Sequence, residues 1–376
     1  MAADPMIALC AAAATGSRTL LLAAENDGTM TALSLAPGSR GGEDYLQENS
    51  VILQQTLATN QASVAPCWAH LYQALEHAPE TPGHSGHRSA LQRNLVSKAI
   101  TKGPFPWRMK SGFVVFISPT EGMVPFQTVG WSCFRDGEWE PDVEWCLRQL
   151  ATPQSVCFDV GANLGYFTAV MAQCALQGQV YAFEPMASTF DRLLSCIRVN
   201  RFSNIRAFPF ALGSADSQAR LFLHESATGN ASLHQDPIAR LSRPKQVQVR
   251  SLDSLFAEGA IPLPDIIKID VEGHELEILR GARQLIERSG AAIVFEFNER
   301  MSRLAKWGAN DLKQHLLSLG EFEFYVLSGK CLAPVDMEQM TVTTNTHIDM
   351  LAWNREKGSI SSCASTGSVE LHTTRV

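Results

Sequence analysis

The sequence has no CxxC pair, although its 376 residues include nine cysteines. An odd number of scattered cysteines does not suit a disulfide framework, and without CxxC pairs a four-cysteine zinc module is excluded. Reduced thiols of this kind are typical of a cytoplasmic protein, so we expect the protein to reside in the cytoplasm.

A surplus of positive charge is also lacking. The chain has 31 lysines and arginines against 38 aspartates and glutamates, which gives a net charge of −7. Proteins that bind nucleic acid normally present a basic surface to it. We therefore expect no nucleic-acid partner.

No stretch of the chain is long and apolar enough to predict a membrane span. The best candidate, residues 6–24, is dominated by alanine and interrupted by Thr15–Thr19, whereas a span needs about 20 strongly apolar residues. Asp4 and Pro5 stand where a signal peptide would carry positive charge. We expect a packed or surface helix here and no stable membrane span.

Composition and local patterns divide the chain into three parts. Residues 1–110 are predicted to form a mainly helical extension, with a helix over Gln54–Glu76 and a possible hairpin turn at Asn26–Gly28. Residues 77–87 are rich in proline, glycine and histidine and indicate a linker; without a rigid scaffold their histidines do not predict a metal site. The main domain is expected over 111–356 and a flexible tail over 357–376.

Strands and helices alternate between residues 155 and 356, which predicts an α/β domain with a mostly parallel sheet. The predicted strands cover 156–160, 179–183, 205–212, 265–270 and 291–296, with a short excursion near 218–224 and 246–249. A closing antiparallel pair is expected from 322–327 and 347–353. The predicted helices cover 138–150, 166–175, 186–200, 274–289 and 310–319.

Ligands of open α/β sheets bind beyond the carboxyl ends of the strands, and the first strand is followed there by a glycine turn. Gly161 and Gly165 allow close approach of a ligand to the backbone, and the following helix offers free N–H groups. The turn is not GxGxxG, which weakens the case for a dinucleotide. Asp159 would repel phosphate and suits a cationic ligand such as S-adenosylmethionine.

Two further features fall at the same edge of the predicted sheet. Glu184 follows the second strand, where an acidic residue suits hydrogen bonds to ribose hydroxyls. Ala211 and Leu212 follow in the third strand and would border an adenine. Together with the glycine turn, these positions predict a nucleoside-type ligand.

Acidic groups converge after the fourth strand. Asp270, Glu272, His274 and Glu275 lie at or just past its carboxyl end, and Glu296 reaches the same rim from the fifth strand. Such crowding raises at least one pKa and provides a base near neutral pH. For Glu275 we favour a role at the start of the following helix, and for His274 a functional and a solvated role are evenly matched.

With these residues in place, the sequence resembles the FkbM-type family of S-adenosylmethionine-dependent methyltransferases. The order and spacing of several motifs over about 200 residues make the resemblance specific. The matching stretches are Phe158–Thr168, Ala182–Pro185, Ala211–Gly213, Val249–Leu255, Ile267–Glu275, Leu279–Ala282 and Val294–Phe297.

The resemblance implies a Rossmann-like class I methyltransferase fold and, most often, O-methylation of a hydroxyl on a sugar, glycan or secondary metabolite. It implies that Glu184 holds the ribose, that Ala211 and Leu212 border the adenine, and that Asp270 and Glu272 face the methionine end and the acceptor. The cofactor loop would be formed by Asp159, Gly161, Asn163 and Gly165.

A general base would assist the acceptor hydroxyl, and we rank His274 first, then Glu296, then Asp270. A hard metal on Asp270, Glu272 and Glu296 is conceivable, but carboxylates crowd many clefts without one, so no metal is predicted. One alternative is a non-catalytic module that binds a nucleoside or a partner; an NAD(P)-dependent oxidoreductase is less favoured because GxGxxG is missing. The oligomeric state stays open.

Overall fold

The computed structural model describes residues 19–23, 30–34, 104–117, 133, 137–223, 231–234, 244–338 and 347–360. Contacts divide the chain into two compact units, one of residues 1–121 and 130–137 and the other of residues 122–129 and 138–376. The predicted helix over 54–76 and the linker over 77–87 lie outside the described residues. So does most of the predicted tail.

The first unit contains two antiparallel hairpins. β1 (Thr19–Ala23) pairs with β2 (Met30–Ser34), which confirms the hairpin around Asn26–Gly28. The helix expected over 6–24 is wrong at 19–23, because these residues form β1. The second hairpin joins β3 (Phe105–Arg108) and β4 (Val114–Ile117), whose side chains are largely buried.

The second unit is built on an eight-stranded sheet with the order β15-β14-β16-β13-β12-β5-β6-β7. Strands β13, β12, β5, β6 and β7 are parallel, and β14, β15 and β16 close the sheet in antiparallel register. The strands are β5 (Val156–Val160), β6 (Gln179–Phe183), β7 (Ile205–Phe208), β12 (Ile266–Ile269), β13 (Ala292–Asn298), β14 (Phe322–Leu327), β15 (Leu332–Pro334) and β16 (His347–Asn354). This confirms the predicted α/β fold with its closing antiparallel pair.

The parallel strands are mostly apolar because helices cover both faces of such a sheet. All four residues of β12 are buried, and Lys268 is its one charged member. The helices are α1 (Pro141–Leu150), α2 (Tyr166–Cys174), α3 (Ala187–Val199), α4 (Leu252–Ala257), α5 (Glu275–Arg280), α6 (Arg283–Ser289), α7 (Glu299–Leu304) and α8 (Ala309–Leu317).

A small second sheet has the order β10-β9-β11-β8, formed by β8 (Ala211–Leu212), β9 (Ser217–Leu223), β10 (Ala231–Ser232) and β11 (Lys245–Arg250). The expected strand over 205–212 therefore splits into β7 and β8. Pro209, which lies between them, has no N–H to donate to a continuous ladder. β8 leaves the large sheet and pairs in parallel with β11.

The helix expected over 274–289 also divides, into α5 and α6. A Cβ on Gly281 would lie 2.0 Å from the carbonyl oxygen of Gly213, so the chain at this break lies directly against the strand-to-loop turn after β8. The sequence analysis did not predict the short helices α4 and α7, although serine and asparagine, here Ser251 and Asn298, are typical N-cap residues.

One cysteine in the described part of the chain departs from the expectation of reduced thiols. Cys146, Cys157, Cys174 and Cys196 are free thiols, but Cys331 is disulfide-bonded. Spacing along the chain does not reveal which sulfur atoms meet in space, so this pairing was not accessible from the sequence.

No helix within the described part of the chain is both long and apolar enough to cross a membrane.

Candidate active site

A cleft opens at the carboxyl ends of β5, β6 and β12 and is bordered by the small sheet. Eight of the sequence-predicted site residues lie on its walls, namely Gly161, Asn163, Glu184, Ala211, Leu212, Asp270, Glu272 and His274. The topology thus brings together residues that are more than 100 positions apart in the chain. Asp159, Gly165 and Glu296 are not among the residues that line this cleft.

The glycine turn after β5 touches the end of β12. Gly161 has a φ of +81°, and a Cβ there would lie 1.9 Å from the carbonyl oxygen of Asp270. Only glycine fits this approach without a backbone shift. The N–H groups of Gly161 and Ala162 both donate to the carbonyl oxygen of Phe183, which fixes the turn against the end of β6.

Glu184 is buried at the edge of the cleft and bridges two loops. Its Oε2 accepts a hydrogen bond of 3.0 Å from the N–H of Asn163, and its Oε1 accepts one of 2.8 Å from the N–H of Met186. Burial raises the pKa of Glu184 to about 7, although both backbone bonds act to lower it. The carboxylate is therefore held in a fixed orientation.

One end of the cleft is apolar. Phe183, Phe210, Leu212, Leu221 and Leu233 line it. The Phe183 ring stacks on Phe208 at 5.2 Å between centroids and lies 6.0 Å from that of Phe210, so the aromatic wall is supported from behind. This end suits a flat, uncharged ring.

Asp159 lies beneath the cleft and is fully buried. The hydroxyl of Thr168 donates to its Oδ2 at 2.5 Å, while its Oδ1 has no hydrogen-bond partner and lies 4.0 Å from Nζ of Lys268. Burial raises the pKa of this carboxyl against the opposing effects of Lys268 and Thr168. Gly165 precedes α2 and packs against Leu193.

Lys268 is the buried cation at this end of the sheet. Its Nζ lies 3.0 Å from Oδ2 of Asp270 and 4.7 Å from the centroid of the Phe167 ring. Burial acts to lower the pKa of Lys268, but Asp270, Asp159 and Glu140 outweigh it and raise the pKa above its usual value. The ammonium group therefore stays charged and anchors Asp270.

Five carboxyl groups at this end of the sheet lie close enough to act on one another: Glu140, Asp270, Glu272, Glu296 and Asp349. Burial, followed by repulsion from Asp270, raises the pKa of Glu272 to about 8 and that of Asp349 to about 7. Burial and neighbouring carboxylates hold the pKa values of Glu140 and Glu296 well above their usual range. At neutral pH Glu272 therefore largely keeps its proton, and Asp349 is partly protonated.

Glu140 and Asp349 were missed by the sequence analysis. Glu140 stands just before α1, and Asp349 lies directly opposite Glu296 in the antiparallel pairing of β13 with β16. Neither belongs to a local motif, and the register that places Asp349 opposite Glu296 is not readable from either strand alone.

Glu140, Glu296 and His347 form the one group in the described part of the chain with metal-ligand spacing. One ligand atom from each lies within 4.8 Å of the others. Two carboxylates and an imidazole suit a divalent cation. The spacing alone does not assign an ion, because acidic groups are commonly this close without one.

His274 meets a second histidine that the sequence analysis did not select. Nδ1 of His274 lies 3.2 Å from Nε2 of His234, in the segment that follows β10. Burial, with a smaller effect from His234, lowers the pKa of His274 to about 4. The imidazole is therefore neutral at pH 7 and is a weaker base than an ordinary histidine.

Comparison with known proteins identifies the chain. Residues 159–358, more than half of the sequence, match the methyltransferase FkbM domain. The chain belongs to the FkbM methyltransferase family. Its cofactor is S-adenosylmethionine, as in the rest of the family.

Relatives of this methyltransferase include one that is named for a sugar acid and one that is named for O-methylation. The hexuronic acid methyltransferase AglP of Haloferax volcanii is 31% identical over 171 residues, which are 43% of this chain and 63% of the relative. The 2-O-methyltransferase NoeI of Sinorhizobium fredii is 23% identical over 155 residues, 37% of this chain and 62% of the relative. The matches thus span less than two thirds of the length of either relative.

Among solved structures, a methyltransferase FkbM from Methylobacillus flagellatus is similar with a TM-score of 0.36 and 17% identity. The similarity covers 54% of this chain and 44% of that one.

The raised carboxyl pKa values predict that the cofactor-free methyltransferase loses stability as the pH rises above neutrality. At pH values between their unfolded pKa values and about 7–8, Glu272 and Asp349 bind more protons in the folded protein than in the unfolded protein. We expect the free energy of unfolding, measured by urea titration, to fall by about 1–2 kcal/mol between roughly pH 7 and pH 8.5. His274 does not offset this, because its lowered pKa acts only below about pH 6.5.

The variant Glu272→Gln removes one of these groups and should flatten the pH dependence. An unfolding free energy that stays constant or rises over this interval in the unchanged protein would contradict the electrostatic description of the cluster.

Proposed function

We propose that this protein transfers the methyl group of S-adenosylmethionine to a hydroxyl oxygen on a sugar, a glycan or a secondary metabolite. The observation that carries the proposal is the carboxyl cluster at the cleft, where Asp270 and Glu272 line the wall and both act on the nearby carboxyl group of Glu296. The name of the Haloferax relative supports a sugar acceptor, and that of the Sinorhizobium relative supports transfer to oxygen. The expected cytoplasmic location and the absence of a nucleic-acid acceptor stay predictions.

The walls of the cleft fit the chemical parts of the cofactor. Glu184 presents two fixed carboxylate oxygens, which suit the two ribose hydroxyls. Phe210 and Leu212 offer the apolar surface that an adenine requires. Gly161 has no side chain and lies close to Asp270. The turn is therefore narrow at this point and leaves space for the ligand.

Asp270 and Glu272 lie at the other end of the cleft and suit the positively charged end of the ligand. Lys268 holds Asp270 by an ion pair of 3.0 Å, so that its carboxylate keeps one orientation. We assign both residues to the methionine end. Asp159 supports this arrangement from below through Lys268 and Thr168 and does not need to contact the ligand.

The bound cofactor supplies an electrophilic methyl group on a positively charged sulfur atom. The chain must align the acceptor hydroxyl with that group, because in-line displacement depends on alignment. We assign proton acceptance to a carboxylate oxygen of Glu296. Burial, followed by repulsion from Asp270 and Glu272, raises its pKa well above that of an ordinary glutamate, which makes its ionised form a stronger base.

This assignment changes the ranking of general-base candidates expected from the sequence, because His274 moves from first to last. His274 is a weak base because its pKa is lowered to about 4, and its Nδ1 is engaged with His234. We therefore rank Glu296 first, Asp270 second and His274 third.

Calorimetric titration with S-adenosylhomocysteine tests the cofactor site. We expect micromolar binding by the unchanged protein, and at least a tenfold rise in Kd for Glu184→Ala, because a charged hydrogen-bonding group contributes about 1.5–3 kcal/mol. Glu287→Gln is the matched control, since Glu287 is exposed on α6 and pairs with Arg283. If the folded, unchanged protein binds no ligand, the proposed site is wrong.

Replacement of the proposed base separates chemistry from binding. Glu296→Gln should lower turnover by about 10²–10⁴-fold with a panel of hexuronic acids and neutral hexosides, while its affinity for S-adenosylhomocysteine stays within threefold of the unchanged protein's. His274→Gln, assayed at saturating cofactor, should lose much less. Full turnover by Glu296→Gln would refute the assignment. Binding without methyl transfer to any acceptor would favour the non-catalytic alternative.

A further inference from the structure

Residues 231–234, which we call the clasp, form a third wall of the cleft and have no counterpart in the motifs read from the sequence. Ala231 and Ser232 pair in antiparallel register with Leu223 and Phe222 of β9. Leu233 follows and lines the cleft. The clasp is thus an arm of the small sheet that reaches the ligand space.

Two polar contacts join the clasp to the turn that carries Glu272. The hydroxyl of Ser232 donates to the carbonyl oxygen of Glu272 at 2.8 Å. Two residues later, Nε2 of His234 lies 3.2 Å from Nδ1 of His274. The N–H of His234 also donates to the Ser232 hydroxyl at 3.1 Å, so the two contacts support one another.

An apolar contact joins the clasp to the opposite wall. Leu233 packs in a small cluster with Met186, Leu221 and Val247. Met186 donates its N–H to Oε1 of Glu184, the residue assigned to the ribose. The clasp therefore contacts both the ribose side and the methionine side of the cleft, and displacement of the clasp would disturb both.

The contact between His234 and His274 requires one hydrogen-bond donor and one acceptor. One of the two facing ring nitrogens must carry a proton and the other must accept it. Burial lowers the pKa of both imidazoles, so both are neutral at pH 7 and each has a defined tautomer. Loss of the His234 ring would leave the largely buried Nδ1 of His274 without its partner and remove a contact that fixes the Glu272–His274 turn.

We propose that the clasp is part of the cofactor-binding site and that His234 is a positioning residue, which holds the Glu272–His274 turn in its binding geometry through His274. The proposal rests on the proposed function, because it takes the cleft to be the S-adenosylmethionine site. It adds a residue outside the family motifs and assigns it an effect on cofactor retention.

The test measures the affinity and the dissociation rate of S-adenosylhomocysteine with the full chain. His234→Ala should raise Kd about tenfold, mainly through faster dissociation, because one hydrogen bond and its buried partner are lost. His234→Gln should stay within about threefold of the unchanged protein, since its amide offers both a donor and an acceptor near the position of Nε2. Ser232→Ala should raise Kd by about 2–10-fold, the effect of one neutral hydrogen bond.

Gln246→Ala is the matched control. It removes a 3.2 Å side-chain bond to Gln218 in the same small sheet, at a solvent-exposed position, and should leave binding unchanged. Thermal unfolding of every variant separates a local effect from loss of the fold.

Each result decides the proposal. Equal affinity of His234→Ala and the unchanged protein would overturn the clasp while leaving the cofactor site intact. A folded His234→Gln that binds as weakly as His234→Ala would also overturn it, because the role assigned to the hydrogen bond would then be wrong. Failure of the unchanged protein to bind would instead overturn the proposed function, and the clasp with it.

Discussion

One buried ammonium group organises the functional end of this sheet. Lys268 is the one charged residue of β12, and its Nζ lies between Asp159 below and Asp270 at the cleft. Removal of one partner from such a buried pair leaves an uncompensated charge and is strongly destabilising. The position of Asp270, and through it the contact with Gly161, therefore depends on this ion pair.

The same cation divides the cleft into two chemically different ends. Away from it, aromatic and aliphatic side chains such as Phe210 and Leu212 suit an uncharged ring. Near it, carboxyl groups outnumber a single ammonium group, and burial together with mutual repulsion raises the pKa values of Glu140, Glu272, Glu296 and Asp349. This polarity suits a ligand that carries positive charge at one end. It also suits a reaction that releases a proton, because a carboxylate can accept it.

Much of this arrangement was predictable because it is encoded locally. Strands β5, β6 and β12 are mostly apolar, and the ends of these strands carry Gly161, Glu184 and Asp270. The contacts that the sequence did not predict depend on how distant segments pair in the fold. Asp349 meets Glu296 because β16 inserts beside β13, and His234 meets His274 across an excursion of 40 residues. No periodicity or motif in either of the two contacting segments predicts these contacts.

The central claim, that the acidic end of the cleft directs a methyl group to a hydroxyl oxygen, is tested most directly on the product. S-adenosylmethionine labelled with carbon-13 in its methyl group should be incubated with the protein and a hexuronic acid glycoside, and the product analysed by NMR. The account predicts a labelled methyl ether on a ring hydroxyl. A labelled methyl ester on the carboxylate, released by mild alkali, would contradict it.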